Sequence, residues 1–343
     1  MIAAVLAGPR RLELREVQDP EPDGESVVIE VSACGVCGSD LHYWDMGLDM
    51  TGRPGLIPGH EFSGTVVDAG ARTDLAPGDP VTVIPLDPCG ACRACLSGRE
   101  NLCIQGARRR IPANTSPGAL ARFVSVRPDM VRRLPSHMDA VPGALVEPSA
   151  VALRAVRRSG LRRGESVCVT GAGPIGLLSA AWAKVMGASV VAVTEPNPVR
   201  RSFASESGLA DHAFDALDQH VATVMKKVIG GPFDRAIETS GTPGGIHTAA
   251  SALATGGTLV MAGVSFEPVG IMTAAFLVKE IDARSTLGYS LREFETAMDA
   301  VAAGTLDARR IVTRTVPLED VQEAFEDLSS GTSRDVKVVV RIA

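Results

Sequence analysis

The chain has 343 residues, a length that favours two domains over one. Hydrophobic residues make up 45% of it and charged residues 22%, values that exclude a disordered or low-complexity protein. The formal net charge of −6 argues against a basic surface that would bind nucleic acid or an anionic membrane. The N-terminus lacks the features of a signal peptide, and glycines and prolines break both long uncharged stretches, so we expect a soluble, cytoplasmic protein.

The predicted elements change character near residue 150. The first third of the chain is rich in β-structure, with strand-like runs at residues 26–31, 61–67 and 81–83. After a predicted helix at 151–158, short apolar strands alternate with helical segments. These strands are predicted at 166–170, 189–194, 233–238, 257–262 and 283–287. The alternation predicts a parallel, doubly wound sheet.

A helix at 293–303 and a strand at 336–342 complete the predicted elements, and we expect this last strand to return to the first domain. The sequence therefore predicts an α/β protein in which one domain is inserted into the other. We expect residues 1–150 and 288–343 to form a β-rich domain. Residues 151–287 are expected to form the inserted parallel-sheet domain.

A glycine-rich turn follows the first strand of the inserted domain. Gly171-Ala172-Gly173-Pro174-Ile175-Gly176 matches G-x-G-x-x-G, with a strand directly before it and a helix directly after it. In this pattern Gly171 permits a tight turn, Gly173 admits a pyrophosphate close to the backbone, and Gly176 lets helix and strand pack closely. Because the helix N-terminus also offers free N–H groups to phosphates, the turn predicts a Rossmann dinucleotide-binding domain.

The second strand of this domain ends at an acidic residue, Glu195. A carboxylate there can accept hydrogen bonds from both adenosine ribose hydroxyls and would repel a 2′-phosphate, which favours NAD. Arg200 and Arg201 follow soon afterwards and could reach a 2′-phosphate, so NADP stays open. The plainer interpretation, a surface carboxylate at a strand end, fits the preceding glycine turn less well.

The cysteines indicate a metal site. Four of the seven are spaced as Cys89-x₂-Cys92-x₂-Cys95-x₇-Cys103. In a chain without a secretion signal, this clustering favours metal over disulfides. Four thiolates form a closed tetrahedral set with no open coordination position, so the spacing predicts a structural zinc.

A second candidate metal site is dispersed along the chain. Cys37 lies in Cys37-Gly38-Ser39-Asp40, and His60 and Glu61 lie in Gly59-His60-Glu61. A cysteine, a histidine and a carboxylate are suitable ligands for a catalytic zinc with one position left open. Spacing alone does not show that they meet, since a His-Glu pair is more often an ordinary surface or core pair.

Along the chain, Cys37-Gly38-Ser39-Asp40 is followed by Gly59-His60-Glu61, the four-cysteine segment, Glu147-Pro148 and the glycine-rich turn. This combination resembles the zinc-dependent medium-chain dehydrogenases, the family of alcohol and sorbitol dehydrogenases. The resemblance covers essentially the whole chain. It implies a GroES-like fold for the β-rich catalytic domain and a homodimer or homotetramer. It also implies two zinc ions per chain, one catalytic and one structural, and a small alcohol or carbonyl compound as substrate.

The resemblance assigns the catalytic metal ligands residue by residue. Cys37 and His60 match zinc ligands of the family, and Glu61 matches a carboxylate that binds the zinc directly or swings on and off it. Glu147 matches the third protein ligand of the polyol dehydrogenase branch. Asp40 matches the carboxylate that orients the histidine ligand.

The resemblance also implies a proton relay and a set of cofactor contacts. Ser39 matches the hydroxyl that touches the substrate oxygen, and His42 matches the outer end of the relay. The backbone segments expected along the nicotinamide contain Gly241, Gly263, Val264, Leu287 and Gly288, although each segment could equally be an ordinary turn at a strand end.

Two features bear on the substrate. His42-Tyr43-Trp44 resembles the sorbitol and xylitol dehydrogenase signature, and its two aromatic side chains would either line the pocket or pack beneath the active-site loop. Polyol dehydrogenases carry an Arg-Tyr pair where this chain has Gly288-Tyr289, which weakens sorbitol itself as the substrate. Leu287-Gly288-Tyr289 resembles the butanediol and secondary-alcohol branch instead.

We therefore expect hydride transfer between NAD and a secondary alcohol, a vicinal diol or a (cyclic) polyol. One alternative is a reductase that acts on a ketone or an imine with NADPH. The other is a zinc- and nucleotide-binding protein without turnover.

Overall fold

The computed structural model describes residues 1–49, 51–106, 109, 111–265 and 268–342. Its contacts divide the chain into two units. We call Met1–Glu147, Tyr289–Gly304 and Val312–Ala343 the β-rich unit, and Pro148–Gly288 with Thr305–Ile311 the parallel-sheet unit. Of the helices in the described residues, none is both long enough and apolar enough to cross a membrane.

The strands and helices are numbered in chain order. The strands are β1 (Ile2–Gly8), β2 (Arg11–Glu16), β3 (Val27–Gly35), β4 (Glu61–Asp68), β5 (Pro80–Val83), β6 (Phe123–Val126), β7 (Val131–Arg133), β8 (Ser166–Thr170), β9 (Val190–Glu195), β10 (His212–Asp215), β11 (Phe233–Glu238), β12 (Leu253–Met261), β13 (Asp282–Ser285), β14 (Val312–Pro317) and β15 (Lys337–Arg341). The helices are α1 (Gly38–Met46), α2 (Arg93–Leu96), α3 (Ala140–Ala144), α4 (Val146–Ser159), α5 (Pro174–Val185), α6 (Pro198–Glu206), α7 (Val221–Ile229), α8 (Pro243–Ala252), α9 (Thr273–Lys279), α10 (Leu291–Ala302) and α11 (Val321–Ser329).

The β-rich unit is built around one large sheet. Its strands run in the order β14-β15-β3-β4-β5-β7, with β6 also paired to β3, and β1 and β2 form a separate antiparallel hairpin. The strand β15 lies antiparallel to β3, with Val340 opposite Cys34. The last strand therefore returns to the sheet of the first domain, as the sequence predicts. Cys34 is fully buried there, as expected for a small packing residue.

The parallel-sheet unit has the strand order β10-β9-β8-β11-β12-β13, and all of its described pairings are parallel. This order reverses between β8 and β11, which is the topology of a doubly wound nucleotide-binding sheet. The predicted α/β fold with a Rossmann-type sheet is confirmed. All five residues of β8 are buried, Cys168 among them.

The glycine turn after β8 has the geometry that its sequence requires. Gly171 has φ +100°, in the region that disfavours L side chains. A Cβ at Gly176 would overlap the carbonyl oxygen of Gly171, so helix α5 can approach β8 only because this side chain is absent. At Gly173, by contrast, no protein atom lies within 4 Å of an added Cβ, which leaves open space above the turn.

We predict that Gly176→Ala destabilises the protein while Gly173→Ala does not. The first substitution forces backbone atoms apart in a packed turn, at a cost of about 1–3 kcal/mol in the free energy of unfolding. Urea unfolding followed by circular dichroism measures both variants. Equal stability of the two variants would contradict the packing role assigned to Gly176.

Candidate functional site

Three residues with metal-binding side chains converge in the β-rich unit. Cys37 lies just before α1, and His60 and Glu61 lie at the start of β4. One ligand atom from each of the three lies within 4.8 Å of the others. The segments meet because β3 and β4 pair, with Gly35 opposite Glu61. The structure thus brings together three of the four residues that the sequence suggests for a catalytic zinc.

Asp40 lies against the histidine of this cluster. Its buried carboxylate accepts hydrogen bonds from the backbone N–H groups of Cys37 (3.0 Å) and Gly59 (3.1 Å). Its Oδ1 lies 3.5 Å from Nδ1 of His60, so Nε2 is the nitrogen left for a metal.

The electrostatics of the cluster favour a cation. Burial by itself lowers the pKa of His60, but the charges of Asp40 and Cys37 outweigh burial and raise this pKa well above its usual value. A site that holds a proton so firmly offers the same negative potential to a metal ion. A thiolate, an imidazole nitrogen and a carboxylate also form a donor set that zinc accepts, so the residues present fit the ion.

Glu147 lies in the first turn of α4 and is not part of the group that converges within 4.8 Å. Burial raises the pKa of Glu147 to about 7, and the charge of Glu61 adds to this effect. Tyr289 is buried nearby, and burial together with the charge of Glu147 raises the pKa of its hydroxyl well above the usual value. Repulsion between two buried carboxylates is the kind of cost that a bound dication relieves.

Lys337 is the neighbour of the cluster that the sequence analysis missed. It lies on β15, is 1% exposed, and donates a hydrogen bond of 2.7 Å to the carbonyl oxygen of Val36. Its ammonium also forms a buried ion pair with Oε2 of Glu61. A signal was present in the sequence, because this lysine interrupts an otherwise apolar run at residues 336–340.

The two predicted relay residues lie on α1, one turn apart. Ser39 is half-buried and His42 is exposed. Positions i and i+3 of a helix share a face, so a proton could pass along this side of α1 from the interior to solvent.

The two aromatic residues of α1 differ in their surroundings. Trp44 is 3% exposed, packs edge-on against Phe325 at a ring distance of 6.1 Å, and donates a hydrogen bond of 3.2 Å to Gln322. Of the two roles that the sequence left open, lining the pocket or packing beneath the loop, these contacts of Trp44 support packing. Tyr43 is half-buried, and burial raises the pKa of its hydroxyl while the charge of His60 opposes the rise.

The four cysteines of the predicted structural zinc converge on one point. Their sulfur atoms lie within 4.8 Å of one another, with Sγ distances of 3.5 Å from Cys92 to Cys95 and 4.0 Å from Cys92 to Cys103. A tetrahedron with zinc–sulfur bonds of about 2.3 Å has sulfur atoms roughly 3.8 Å apart. Backbone N–H groups of Cys95 and Ile104 lower the pKa of Cys92, which favours the thiolate that zinc requires.

The parallel-sheet unit contains a cavity of about 470 Å³ at the carboxyl ends of its strands. Four predicted cofactor residues line it, namely Gly171, Gly173, Glu195 and Arg200. Pro174, Ile175 and Gly176 lie in the first turn of α5. Gly241 and Gly263 lie in two turns that touch through their backbones, while Val264 and Leu287 are exposed and Gly288 has φ +54°.

Glu195 is held in place at the rim of this cavity. Its Oε2 accepts a hydrogen bond of 2.8 Å from Ala172 N–H in the glycine turn, and its Oε1 accepts one of 3.1 Å from Asn197 N–H. Nε of Arg200 is buried and has no hydrogen-bond partner among the described residues. Arg201 instead donates to the carbonyl oxygens of Glu195 and Pro196.

Comparison with known proteins agrees with this geometry. Residues 23–136 match the family described as alcohol dehydrogenase GroES-like domain, and residues 174–303 match the zinc-binding dehydrogenase family. The chain is 34% identical to sorbitol dehydrogenase of Bos taurus over 343 residues, covering 98% of this chain and 95% of that protein. The chain belongs to the zinc-dependent medium-chain dehydrogenases. The expected family and the GroES-like and Rossmann fold are thereby confirmed, and the chain is an alcohol or polyol oxidoreductase.

Two solved structures of this dehydrogenase family are similar over nearly the whole chain. One is 2R,3R-butanediol dehydrogenase from Bacillus subtilis, with a TM-score of 0.86, 29% identity and 99% of each chain covered. The other, assigned to the zinc-binding dehydrogenases and bound to NADP, comes from Sinorhizobium meliloti 1021. Its TM-score is 0.90 at 30% identity, with 99% of this chain and 98% of that chain covered.

We predict that Lys337→Gln lowers the free energy of unfolding by about 3–5 kcal/mol, because it leaves the Glu61 carboxylate buried without its partner. Urea unfolding of metal-free protein measures the effect, so that zinc does not replace the lysine charge. The matched control is Arg10→Gln, which breaks an exposed pair with Asp45 and should cost less than about 1 kcal/mol. Similar losses in the free energy of unfolding for both variants would show that the buried pair of Lys337 and Glu61 stabilises the protein no more than an exposed pair does.

We also predict that Cys103→Ser removes one zinc ion and leaves the other in place, because the two candidate sites share no residue. Elemental analysis should then show half the zinc content of the parent protein. Cys168→Ala, which changes a buried cysteine of β8 outside both sites, should retain full zinc content. Loss of all zinc from Cys103→Ser would show that the two sites are not independent.

Proposed function

We propose that this dehydrogenase interconverts a secondary alcohol, a vicinal diol or a (cyclic) polyol and its carbonyl product, with NAD as the hydride carrier. The observation that carries the proposal is the convergence of Cys37, His60 and Glu61 beside the helix that bears Ser39. Zinc, when bound, would polarise the substrate oxygen and lower the pKa of the hydroxyl, and the nicotinamide would take up the hydride. The β-rich unit would supply the catalytic zinc site, and the parallel-sheet unit would bind the nucleotide.

The chain's own residues would hold the metal and move the proton. We assign Cys37, His60 and Glu147 as catalytic zinc ligands, with Glu61 held back by Lys337 and able to replace another ligand. Ser39 would accept the hydroxyl proton, and the exposed His42 would deliver it to solvent.

Preference for NAD is supported by the carboxylate of Glu195. Backbone N–H groups fix both of its oxygens at the cavity rim, where they can still accept hydrogen bonds from ribose hydroxyls. Reduction of a ketone or an imine with NADPH is the second candidate function. It is favoured by the unpartnered Nε of Arg200 and by the NADP in the related Sinorhizobium meliloti structure.

We further propose that the enzyme is a homodimer or homotetramer. Leu277 and Val278 on α9 are 75% and 82% exposed, and α9 contacts β12, the strand next to β13 in the sheet. Among the described strands, β13 pairs on one side only, and an apolar surface beside an open sheet edge is suited to a second copy. We place the enzyme in the cytoplasm because none of the seven cysteines, all of them among the described residues, forms a disulfide, which suits a reducing compartment.

The substrate assignment is tested by incubating purified enzyme with NAD or NADP and a panel of secondary alcohols, vicinal diols, polyols and aminocyclitols. Nucleotide reduction is followed by the near-ultraviolet absorbance that the reduced nicotinamide has and the oxidised one lacks, with and without a zinc chelator. Chelator-sensitive reduction of NAD by one class of alcohol would support the proposal. No oxidation of any alcohol, combined with turnover of ketones by NADPH, would favour the second candidate function.

We predict that Ser39→Ala lowers kcat by about 10²–10⁴-fold while zinc content stays unchanged, because the substrate hydroxyl loses its proton acceptor. Steady-state kinetics and elemental analysis measure the two quantities. Ser32→Ala, which alters another half-buried serine of the β-rich unit, should leave kcat near the parent value. Full activity of Ser39→Ala would remove Ser39 from the relay.

A further inference from the structure

Glu238, at the end of β11, carries a carboxylate that none of the assigned roles explains. The residue has no solvent exposure. Its Oε1 accepts three hydrogen bonds, from Ser240 N–H (2.6 Å), Ser240 Oγ–H (2.6 Å) and Gly241 N–H (2.9 Å). Its Oε2 is buried and has no hydrogen-bond partner among the described residues.

The pattern of donors indicates the ionised form of this side chain. One oxygen is surrounded by donors, and no described acceptor is present to receive a proton carried on the other oxygen. A carboxylate fits this arrangement, because it only accepts hydrogen bonds. Among the described residues the donors to Oε1 belong to Ser240 and Gly241, which are neutral, and Oε2 has no partner, so a buried negative charge is left without a counter-charge.

Glu238 lies beneath the two turns that follow β11 and β12. Its carboxylate holds the turn of Ser240 and Gly241, and Ser240 lines the 470 Å³ cavity. Its backbone carbonyl accepts hydrogen bonds from Ala262 N–H (2.7 Å) and Gly263 N–H (2.9 Å). A Cβ at Gly263 would come within 2.8 Å of Oε2, so the unpartnered oxygen faces the second turn.

We infer that the charge of Glu238 favours binding of the oxidised nicotinamide nucleotide over the reduced one. The inference rests on the proposed function and on the expectation, implied by the family resemblance, that Gly241 and Gly263 lie along the nicotinamide. The oxidised ring is a cation and the reduced ring is neutral, so a buried carboxylate beneath the turns attracts only the oxidised ring. Two unit charges about 10 Å apart, at an effective dielectric constant of about 20, interact strongly enough to change affinity on the order of tenfold. Glu238 is thus a positioning residue for the turn and an electrostatic determinant of the balance between the two nucleotide forms.

Titration calorimetry of NAD and NADH binding to the zinc-loaded enzyme tests this inference. In Glu238→Gln, the amide oxygen can still accept hydrogen bonds from the turn, but the charge is gone. We expect the ratio of the dissociation constant for NAD to that for NADH to rise on the order of tenfold, equivalent to about 30 mV in the potential of the bound two-electron couple. Glu238→Asp keeps the charge on a shorter side chain, so both affinities should fall while the ratio stays within about twofold of the parent.

Asp234→Asn is the matched control, because Asp234 lies on the same strand but at its opposite end. Its carboxylate accepts hydrogen bonds from Ser166 N–H (2.8 Å) and Oγ–H (2.9 Å), and its removal changes the net charge by the same amount. The ratio should stay at the parent value in this variant.

An unchanged ratio of the two dissociation constants in Glu238→Gln would overturn the inference. Equal weakening of both nucleotides by Glu238→Gln would show a purely structural role, and an unchanged ratio with unchanged affinities would show no role. A parent enzyme that binds neither nucleotide would overturn the proposed function, and the inference with it. A parent enzyme that binds both, with an unchanged ratio in Glu238→Gln, would overturn the inference alone.

Discussion

The buried ion pair between Lys337 and Glu61 is the contact on which the geometry of the metal cluster depends. Lys337 lies on β15 near the end of the chain, and the pairing of β15 with β3 and of β3 with β4 carries it to Glu61. A charge pair with almost no exposure is stable only when both partners and their hydrogen bonds are present. The metal cluster therefore requires that the first strands and the last strand fold into one sheet.

The sequence was sufficient wherever local chemistry determines the structure. The bounds of β8 and β11 were predicted correctly, because each is a short strand with buried apolar residues that comes just before a glycine-containing turn. The four-cysteine cluster followed from spacing alone, since all of its members lie in one short segment. The meeting of Cys37 with His60 required the resemblance to a family, because it depends on the pairing of strands.

Features that depend on distant partners were beyond the sequence. Lysines are ordinarily exposed, so the burial of Lys337 was not expected. Its charge is compensated by Glu61, which lies far away in the chain. The side on which Trp44 packs depends on α11, which the sequence analysis did not predict. The lack of a hydrogen-bond partner for Oε2 of Glu238 can be recognised only when the positions of the neighbouring donors are known.

We expect a zinc ion in the cluster of Cys37 and His60 to enable hydride transfer from an alcohol to NAD. Deuterium transfer distinguishes the outcomes, with a substrate alcohol deuterated at its carbinol carbon and mass spectrometry of the nucleotide product. The deuterium should move to the nucleotide, a zinc chelator should stop the transfer, and added zinc should restore it. Transfer that persists in zinc-free protein would show that zinc is not required, and zinc-loaded protein that transfers no deuterium from any alcohol would show that the enzyme does not oxidise alcohols.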